Sequence, residues 1–365
     1  MKLLFFIHAM SGGGAERVMS TLLNAFVERG EEVYLATNTS KKCAYALHKN
    51  IILKNLSEGI DQDNTFKGKV QRFCKHLSNI RNITREVKPD IIISFIRDLN
   101  IDVILATFKL NIPVIVSEHI FIEKKVGFRV GLMRKITYPF ANAVTLLTRH
   151  DLRLLKGKHA NVVYMPNPIR YNNANADKEY IKKNIILAAG RVSEWYHKGF
   201  DNLIRCWGGL CRDFPDWELH IAGAGDEKSF EYLKNIAENN NIQNLSFLGF
   251  RTDISKLMQE SSVFCLSSRF EGLPMVLLEA MNNGCCCVAF NCKTGPNEII
   301  KNNENGVLVP DQDMEELNKN LRIVMSDEVT RKRLSANSHS TLHLYSEERI
   351  ISRWDILFRL ILKNS

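Results

Sequence analysis

SSRFEGLPMVLLEA, residues 267–280, joins a strand-like run to a helix and places a glutamate where that helix has no polar face. Pro274 suits a first helical position, and the residues directly after it are apolar apart from Glu279. The positions three and four residues from Glu279 hold apolar residues or asparagines, so no cation of this helix can pair with it. Because a carboxylate in apolar surroundings is unfavourable, Glu279 is expected to border either solvent or a polar ligand.

Apolar, β-branched runs alternate with helical patterns on both sides of this segment. The first half contains KLLFFIHA, EEVYLATN, DIIISFI, PVIVSEH and AVTLLT, and the second half contains NIILAAG, WELHIAG, NLSFLG, SVFCLSS, CCCVAF and NGVLVP. Near-continuous apolar strands are typical of parallel sheets with both faces covered. The pattern predicts an α/β protein of two doubly wound, parallel-sheet, Rossmann-like domains that face a ligand-binding cleft.

A break in this alternation gives the predicted domain boundary. The segment VVYMPNPIR, residues 162–170, contains two prolines and is interpreted as a linker. We therefore predict a first domain over residues 1–166 and a second domain over residues 167–345. The closing amphipathic helix, residues 346–365, needs an apolar partner and could pack back on the first domain.

The composition favours a cytoplasmic protein. No apolar run approaches the ~20 residues that span a bilayer. The start, MKLLFFIHAM, is interpreted as a first strand rather than a signal peptide, because it runs into SGGGAERV without a cleavage site. The nine cysteines include no C-x-x-C pair, which indicates packing residues in a reducing compartment.

Positive charge is concentrated in the first half of the chain. Residues 1–166 hold 25 Lys and Arg against 14 Asp and Glu, whereas the remainder holds 24 against 26. Residues 66–88 carry seven basic and one acidic residue, and residues 121–135 carry five and one. These segments are either solvated helix faces or a surface attracted to the anionic inner membrane face or to a phosphorylated acceptor. Nucleic acid is not expected as a partner, because aromatic residues are not interleaved with the charges.

The first strand runs into a glycine-rich turn, Met10–Arg17 (MSGGGAER), which precedes a helix. Glycines at such a turn let a ligand approach the backbone, and the N-terminus of a helix favours anions; a tight turn without a ligand is the alternative. The order is not G-x-G-x-x-G and no G-K-[ST] occurs, so neither a dinucleotide site nor a P-loop is predicted.

A second strand-to-helix loop, AGRVSEWYHKGF at residues 189–200, carries the cations Arg191 and Lys198. Two cations above a sheet suit a pyrophosphate, the arginine through forked hydrogen bonds and the lysine as a point charge. Glu271 lies just before the next helix, and Glu279 lies ~7.5 Å along its axis. Such glutamates can hydrogen-bond hydroxyls at two ends of one ligand, as in a nucleotide sugar.

These residues also carry a resemblance. The spacing E-x7-E from Glu271 to Glu279, within FEGLP, resembles the signature of the family-four retaining glycosyltransferases with the two-domain B-type (GT-B) fold. The G-R…K-G loop, the GGAER turn, the NPI linker and GVLVPDQD at residues 306–313 are similar to the same family, and the similarity spans nearly the whole chain. The turn MSGGGAER and the triplet SEH at residues 117–119 most resemble bacterial members that extend lipid-linked oligosaccharides.

The resemblance implies a role for each matching residue. Glu271 would contact hydroxyls of the donor sugar and Glu279 the ribose, while Arg191 and Lys198 would neutralise the diphosphate leaving group in place of a metal. The implied donor-binding residues are Gly13, Gly14, Arg191, Lys198, Phe250, Arg251, Glu271, Gly272, Leu273, Met275, Val276 and Glu279. The implied acceptor-binding residues are Gly13, Gly14, Glu16 and His119, and the implied catalytic residues are His119, Arg191, Lys198 and Glu271.

No metal, cofactor or protein nucleophile is expected. The resemblance implies front-face attack, in which the leaving phosphate helps to deprotonate the acceptor hydroxyl. Two D-x-D triplets occur, at residues 61–63 in a polar loop and at residues 311–313 before the helix-like MEELNKNL. The first lacks a preceding buried strand and the second is typical of a helix N-cap, so neither is predicted to bind a metal.

The sequence thus predicts a cytoplasmic, retaining glycosyltransferase attached peripherally to the inner face of the membrane. It would move a hexose or N-acetylhexosamine from a UDP-sugar to a polyprenyl-pyrophosphate-linked oligosaccharide in bacterial polysaccharide or lipopolysaccharide assembly. A UDP-sugar epimerase of the same fold and a non-catalytic nucleotide-sugar-binding protein are the alternatives. The identity of the sugar, the linkage position and the oligomeric state do not follow from the sequence.

Overall fold

The chain folds into two compact units in the computed structural model, which describes residues 1–57, 65–123, 127–157, 161–170 and 180–363. One unit comprises Met1–Pro168 with Glu347–Ser365, and the other comprises Ile169–Ser346. Each unit contains one sheet whose strands all pair in parallel and are covered by helices. The prediction of two doubly wound, parallel-sheet α/β domains is therefore confirmed.

The first unit is built on a seven-stranded sheet with the order β3-β2-β1-β4-β5-β6-β7. Its strands are β1 Lys2–Phe6, β2 Glu32–Thr37, β3 Ile52–Asn55, β4 Ile91–Phe95, β5 Val114–Glu118, β6 Ala143–Leu146 and β7 Val162–Tyr164. The helices that follow them are α1 Gly14–Glu28, α2 Phe66–Val87, α3 Arg97–Thr107, α4 Phe128–Thr137 and α5 Arg149–Leu155.

Alternate residues of the central strand β1 belong to two different cores. Leu3 and Phe5 pack into one cluster, and Leu4 and Phe6 pack into the other, with all four side chains fully buried. Because successive strand residues point to opposite faces, a strand that is buried on both faces must be apolar throughout. This is why β1 and β4 appear in the sequence as continuous apolar runs.

The second unit is built on a six-stranded sheet with the order β10-β9-β8-β11-β12-β13. Its strands are β8 Lys183–Ala189, β9 Glu218–Ala222, β10 Leu245–Gly249, β11 Ser261–Leu266, β12 Cys286–Phe290 and β13 Val307–Val309. Its helices are α6 Trp195–Lys198, α7 Phe200–Asp213, α8 Glu227–Asn239, α9 Ile254–Glu260, α10 Met275–Asn282, α11 Pro296–Ile299, α12 Met314–Ser326 and α13 Glu328–Leu342.

Strand order reverses between β8 and β11, which are neighbours although β9 and β10 separate them in the chain. Ligands of open parallel sheets bind at the carboxyl ends of strands beside such a reversal. The loop that follows β8 contains Arg191 and Lys198, and the loop that follows β11 contains Glu271. The topology thus brings the two predicted donor-side loops to one point.

The last helix, α14 (Glu347–Lys363), packs in the first unit and returns the chain to it. Its buried face shares a core with β1 and α1, and the rings of Phe358 and Phe26 lie 5.5 Å apart. The guanidinium of Arg29, the C-cap residue of α1, lies 2.5 Å from the carboxylate of Asp355 on α14.

The prediction of a linker over residues 162–170 is wrong in its first third. Val162–Tyr164 forms β7, which pairs in parallel with β6. The two valines favour a strand, and the prolines, which cannot donate a ladder hydrogen bond, begin only at Pro166.

All nine cysteines are free thiols, and those in the run 285–287 are buried. Burial raises the pKa of Cys286 to about 12 and that of Cys285 to about 11. These thiols are therefore neutral packing groups at physiological pH, with little thiolate to react. Among the described residues, no helix is both long enough and apolar enough to cross a membrane.

Candidate active site

Lys198 and Glu271, which the sequence placed on separate loops, form an ion pair in the second unit. Nζ of Lys198 lies 2.9 Å from Oε1 of Glu271, and the side chains are only 18% and 10% exposed. The hydroxyl of Ser268 donates a second hydrogen bond to the same oxygen, at 2.7 Å. One carboxylate oxygen thus accepts two hydrogen bonds in a largely desolvated setting, where charge-assisted bonds are strong.

Two glycines permit this close packing of the loops. A Cβ at Gly190 would lie 3.1 Å from side-chain carbons of Lys198, so the lysine stem crosses the space a larger residue would fill. Gly199 has a φ of +66°, and a Cβ there would lie 1.9 Å from the carbonyl oxygen of Ser267. Only glycine combines this left-handed conformation with such an approach to a neighbouring backbone.

Arg269 ties the loop between β8 and α7 to the loop after β11. Its guanidinium donates to both carboxylate oxygens of Asp201, at 2.8 and 2.9 Å, and lies 4.2 Å from the ring centroid of Tyr196. The carboxylate of Asp201 is buried. Neither residue was recognisable in the sequence, because an Arg–Asp pair between segments distant in the chain leaves no spacing signal.

Arg191 lies at the exposed end of the same loop, with its side chain 57% exposed. Its Nη1 lies 3.3 Å from Oε1 of Glu194, one turn further along. The two predicted cations therefore differ: the side chain of Lys198 is partly buried against Glu271, whereas that of Arg191 is exposed beside the carboxylate of Glu194.

The N-terminus of α10 is positioned by the loop after β12. A Cβ at Gly295, where φ is +94°, would lie 2.2 Å from the carbonyl oxygen of Gly272, and Thr294 donates a hydrogen bond to the carbonyl of Glu271. Helix α10 begins at Met275 with Pro274 as its N-cap, and Glu279 is the fifth helical residue and partly buried. The predicted donor-binding side chains of Met275 and Val276 are half-buried in its first turn, and that of Leu273 is buried.

Phe250 and Arg251, two of the implied donor-binding residues, follow β10 at the edge of the sheet. The Phe250 ring is 74% exposed. Arg251 donates to both carboxylate oxygens of Asp253, at 2.8 and 2.7 Å. Strand β10 lies three positions from β11 in the sheet, so the structure does not group this pair with Glu271.

In the first unit, the predicted residues Gly13, Gly14 and Glu16 lie at the start of α1. The Gly13 N–H donates to the Tyr45 hydroxyl at 3.1 Å, and that hydroxyl donates to the Gly13 carbonyl at 2.9 Å. Tyr45 thus holds the glycine turn and occupies an amide that the sequence suggested for ligand binding. The Arg17 guanidinium lies 5.8 Å from the centroid of the Tyr45 ring.

His119 follows β5, next to Glu118. Its Nε2 lies 3.1 Å from the hydroxyl oxygen of Ser117, and its ring centroid lies 4.1 Å from that of Phe95. Burial lowers the pKa of His119 to about 3, so the imidazole is neutral at physiological pH. His119 also lines a cavity of about 10 Å³, roughly the size of one water molecule.

Glu118, which directly precedes His119, is buried. Its Oε1 accepts a hydrogen bond from the Tyr138 hydroxyl at 2.5 Å and lies 3.3 Å from Nε of the buried Arg97. The pKa of Tyr138 is raised by its own burial and then by the Glu118 charge. This network anchors the strand end that carries His119.

Within the described ranges, no group of three His, Cys, Asp or Glu side chains is placed to hold a metal ion. Asp313 is the N-cap of α12 and accepts a hydrogen bond from the Glu316 N–H at 3.0 Å. Residues 61–63, the other D-x-D triplet, lie outside the described residues.

Two family comparisons cover most of the chain. The family described as Glycosyl transferases group 1 matches residues 171–341, and the one described as Glycosyltransferase Family 4 matches residues 12–172. The shared limit of the two matches falls close to the boundary between the structural units.

Individual proteins give a consistent result. AmsD, an amylovoran biosynthesis glycosyltransferase from Erwinia amylovora, is 29% identical over 98% of this chain and 99% of its own. The GalNAc-α-(1→4)-GalNAc-α-(1→3)-diNAcBac-PP-undecaprenol α-1,4-N-acetyl-D-galactosaminyltransferase of Campylobacter jejuni is 28% identical over 97% of each chain. The structure of Anabaena HepE with UDP and glucose superposes with a TM-score of 0.76 at 16% identity, covering 98% of this chain and 99% of HepE.

These matches agree with the observed fold of two parallel-sheet units. The chain belongs to the glycosyltransferases with the two-domain B-type fold.

Proposed function

We propose that this glycosyltransferase is retaining and independent of metal ions, and that it transfers a hexose or N-acetylhexosamine from a UDP-sugar. The acceptor in this proposal is a polyprenyl-pyrophosphate-linked oligosaccharide at the cytoplasmic face of the membrane. The observation that carries the proposal is the desolvated pair of Lys198 and Glu271 beside the strand reversal of the second sheet.

This pair contains the two groups that a sugar diphosphate requires. When the donor binds, the Lys198 ammonium can turn to a phosphate oxygen, and the Glu271 carboxylate can accept hydrogen bonds from sugar hydroxyls. In the free protein each group satisfies the other, which avoids a buried unpaired charge. The solvent-facing Arg191 can close on the diphosphate with paired hydrogen bonds.

Departure of UDP creates negative charge on the β-phosphate, which cations and backbone N–H groups at the start of α10 would stabilise. In front-face transfer the acceptor hydroxyl oxygen bonds to the anomeric carbon on the side from which the phosphate oxygen leaves. The hydroxyl proton passes to that phosphate oxygen, so no protein base or nucleophile is required. The neutral, low-pKa His119 fits this scheme as a hydrogen-bond donor rather than as a base.

Two kinds of observation support a UDP-sugar and a lipid-linked acceptor: comparisons with known proteins, and the distribution of charge along the chain. The structure of HepE contains UDP and glucose, and the Campylobacter relative is named for a diphosphoundecaprenol-linked glycan. The excess positive charge of residues 1–166 is the second, because it suits an anionic lipid surface or the acceptor pyrophosphate.

The decisive experiment presents a panel of UDP-sugars with a polyprenyl-pyrophosphate oligosaccharide, with and without EDTA. We expect one donor to be consumed only with acceptor, at an unchanged rate in EDTA, and the product to keep the donor's anomeric configuration by NMR. An inverted product, or a rate abolished by EDTA and restored by a divalent metal, would contradict the proposed mechanism. Conversion of the UDP-sugar without acceptor would indicate the epimerase, and binding without turnover would indicate a non-catalytic protein.

Membrane attachment is tested separately on α2. This helix exposes Phe66, whose side chain is 85% exposed, among basic residues. We expect binding to anionic vesicles that high salt reverses, and at least tenfold weaker binding when the basic residues of its first half are changed to Gln. These residues are Lys67, Lys69, Arg72 and Lys75.

The matched control changes four lysines of the second unit: Lys183, Lys228, Lys234 and Lys319. Equal loss in both variants, or salt-insensitive binding, would count against the attachment.

A further inference from the structure

Two buried hydroxyls form a chain that ends on the His119 imidazole. Strands β5 and β6 pair in register at Ser117 and Thr145, and the two hydroxyl oxygens lie 2.8 Å apart. The Ser117 oxygen in turn lies 3.1 Å from Nε2 of His119. Ser117 is 2% exposed and Thr145 is 0% exposed, so neither hydroxyl can exchange its partner for bulk water.

The direction of this chain decides which imidazole nitrogen carries the proton. When Thr145 donates to Ser117 and Ser117 donates to Nε2, both hydroxyl protons have acceptors. In the reverse direction Nε2–H donates to Ser117 and Ser117 donates to Thr145. The Thr145 proton then has no acceptor among the described contacts, and a buried unsatisfied hydroxyl is unfavourable. The first direction is therefore favoured, and it places the His119 proton on Nδ1.

The backbone at Ile96, which donates a hydrogen bond to Ser117, is held in an unusual conformation. The Ser117 carbonyl accepts hydrogen bonds from the Ile96 N–H at 3.3 Å and from Nδ2 of Asn100 at 3.1 Å. Ile96 has a φ of 77°, a left-handed value that β-branched residues avoid because of steric strain. Strain of this kind persists where the surroundings over-determine it, and here it accompanies a fixed position of Ser117.

Nδ1 of His119 is buried, and no hydrogen-bond partner for it occurs within the described residues. The imidazole borders the small cavity together with Phe95, Asn167 and Trp354. A buried N–H donor without a protein acceptor is costly unless a ligand uses it. The hydroxyl chain therefore assigns the tautomer, and the missing protein partner leaves the Nδ1–H available to a ligand.

We propose that Ser117 and Thr145 are positioning residues that hold His119 as the neutral tautomer protonated on Nδ1. Its Nδ1–H then donates to a hydroxyl oxygen of the sugar or acceptor. The part concerning substrate rests on the proposed function, whereas the tautomer is a property of the free protein.

The tautomer is measured on the whole chain labelled with ¹⁵N-histidine, with the His119→Gln variant used to assign the signals. We expect His119 to show Nδ1 as the protonated nitrogen and Nε2 as the unprotonated one near pH 7. In Ser117→Ala, we expect the proton to move to Nε2, whereas Thr145→Ser keeps the hydroxyl and the wild-type pattern. Protonation on Nε2 in the wild type, or an unchanged pattern in Ser117→Ala, overturns the inference.

Kinetics test the consequence for transfer. Ser117→Ala is expected to lower kcat about tenfold, with KM unchanged and with Thr145→Ser close to wild type. Equal rates in the two variants would overturn the positioning role. If the tautomer pattern is found but no UDP-sugar is transferred to a lipid-linked acceptor, the proposed function fails and the tautomer assignment stands. If transfer occurs while His119 is protonated on Nε2, the tautomer assignment fails and the proposed function stands.

Discussion

The two units hold their candidate residues by different physical means. In the second unit, charged side chains hold one another across two loops, as in the pairs of Lys198 with Glu271 and Arg269 with Asp201. In the first unit, His119 is held by neutral hydroxyls and an aromatic ring, and burial keeps it uncharged. Under the proposed function, the charged pairs would act on the diphosphate, and the neutral imidazole would act on uncharged hydroxyls.

The strongest test of this contrast breaks the charged pair. We expect Lys198→Ala and Glu271→Gln each to lower kcat/KM by roughly 10²–10³, because each removes a group that acts on the developing charge or the sugar. Steady-state transfer assays measure the effect, with circular dichroism to confirm folding.

The matched control is a second Lys–Glu pair in the same unit. Nζ of Lys183 lies 2.7 Å from Oε2 of Glu260, but the lysine is 61% exposed. Lys183→Ala and Glu260→Gln should stay within about twofold of wild type. Comparable losses from both pairs would show that the first acts only on stability.

A steric change sharpens the comparison by testing how tightly the charged loops are locked. Gly199→Ala should destabilise the fold by about 3 kcal/mol, because its Cβ would overlap the Ser267 carbonyl in addition to the cost of a left-handed φ. Gly249 has nearly the same φ, +64°, but a Cβ added there would meet no other atom within 4 Å, so Gly249→Ala should cost only about 1 kcal/mol. Thermal unfolding measures both, and equal shifts would show that the loops can separate.

The same contrast explains what the sequence could and could not predict. Glu271 and Lys198 were recognisable because each stands at a strand-to-helix junction within a motif. Asp201 and Arg269 carry no such signal, since their pairing depends on the adjacency of β8 and β11 across 68 residues of chain. Thr145 was hidden for the same reason: a threonine in an apolar strand looks like an ordinary β residue until its register partner is known.

Arg269 offers a smaller test of whether the charged loops need rigid geometry. Arg269→Lys keeps the charge but loses the paired hydrogen bonds to Asp201 and the planar stacking over Tyr196. We expect KM for the donor to rise about tenfold with a smaller change in kcat, because the loop that carries Lys198 is less well positioned.

Arg322→Lys serves as the control for Arg269→Lys. Arg322 also pairs with a carboxylate, that of Asp213 at 2.6 Å, and lies 6.0 Å from the centroid of the Phe214 ring. Arg322 joins α12 to the end of α7 and does not join the two loops. We therefore expect KM for the donor to be unchanged in Arg322→Lys. A rise in KM for both variants would indicate a general loosening of the second unit.

The smallest expected effect concerns the uncharged side of the comparison. The folded-state pKa of His119, about 3, lies below the ordinary histidine value of 6.5, so the unfolded chain binds a proton that the folded chain does not. The contribution of the neutral His119 to the free energy of unfolding is therefore fully present above about pH 6.5. It is lost as the pH falls, by about 1 kcal/mol between pH 6.5 and 5.5. The difference in unfolding free energy between wild type and His119→Gln should shrink by that amount, and NMR titration should show His119 unprotonated at pH 5. A His119 that titrates near 6.5 would show that this site is hydrated and can carry charge, and the distinction between a charged donor side and a neutral acceptor side would then fail.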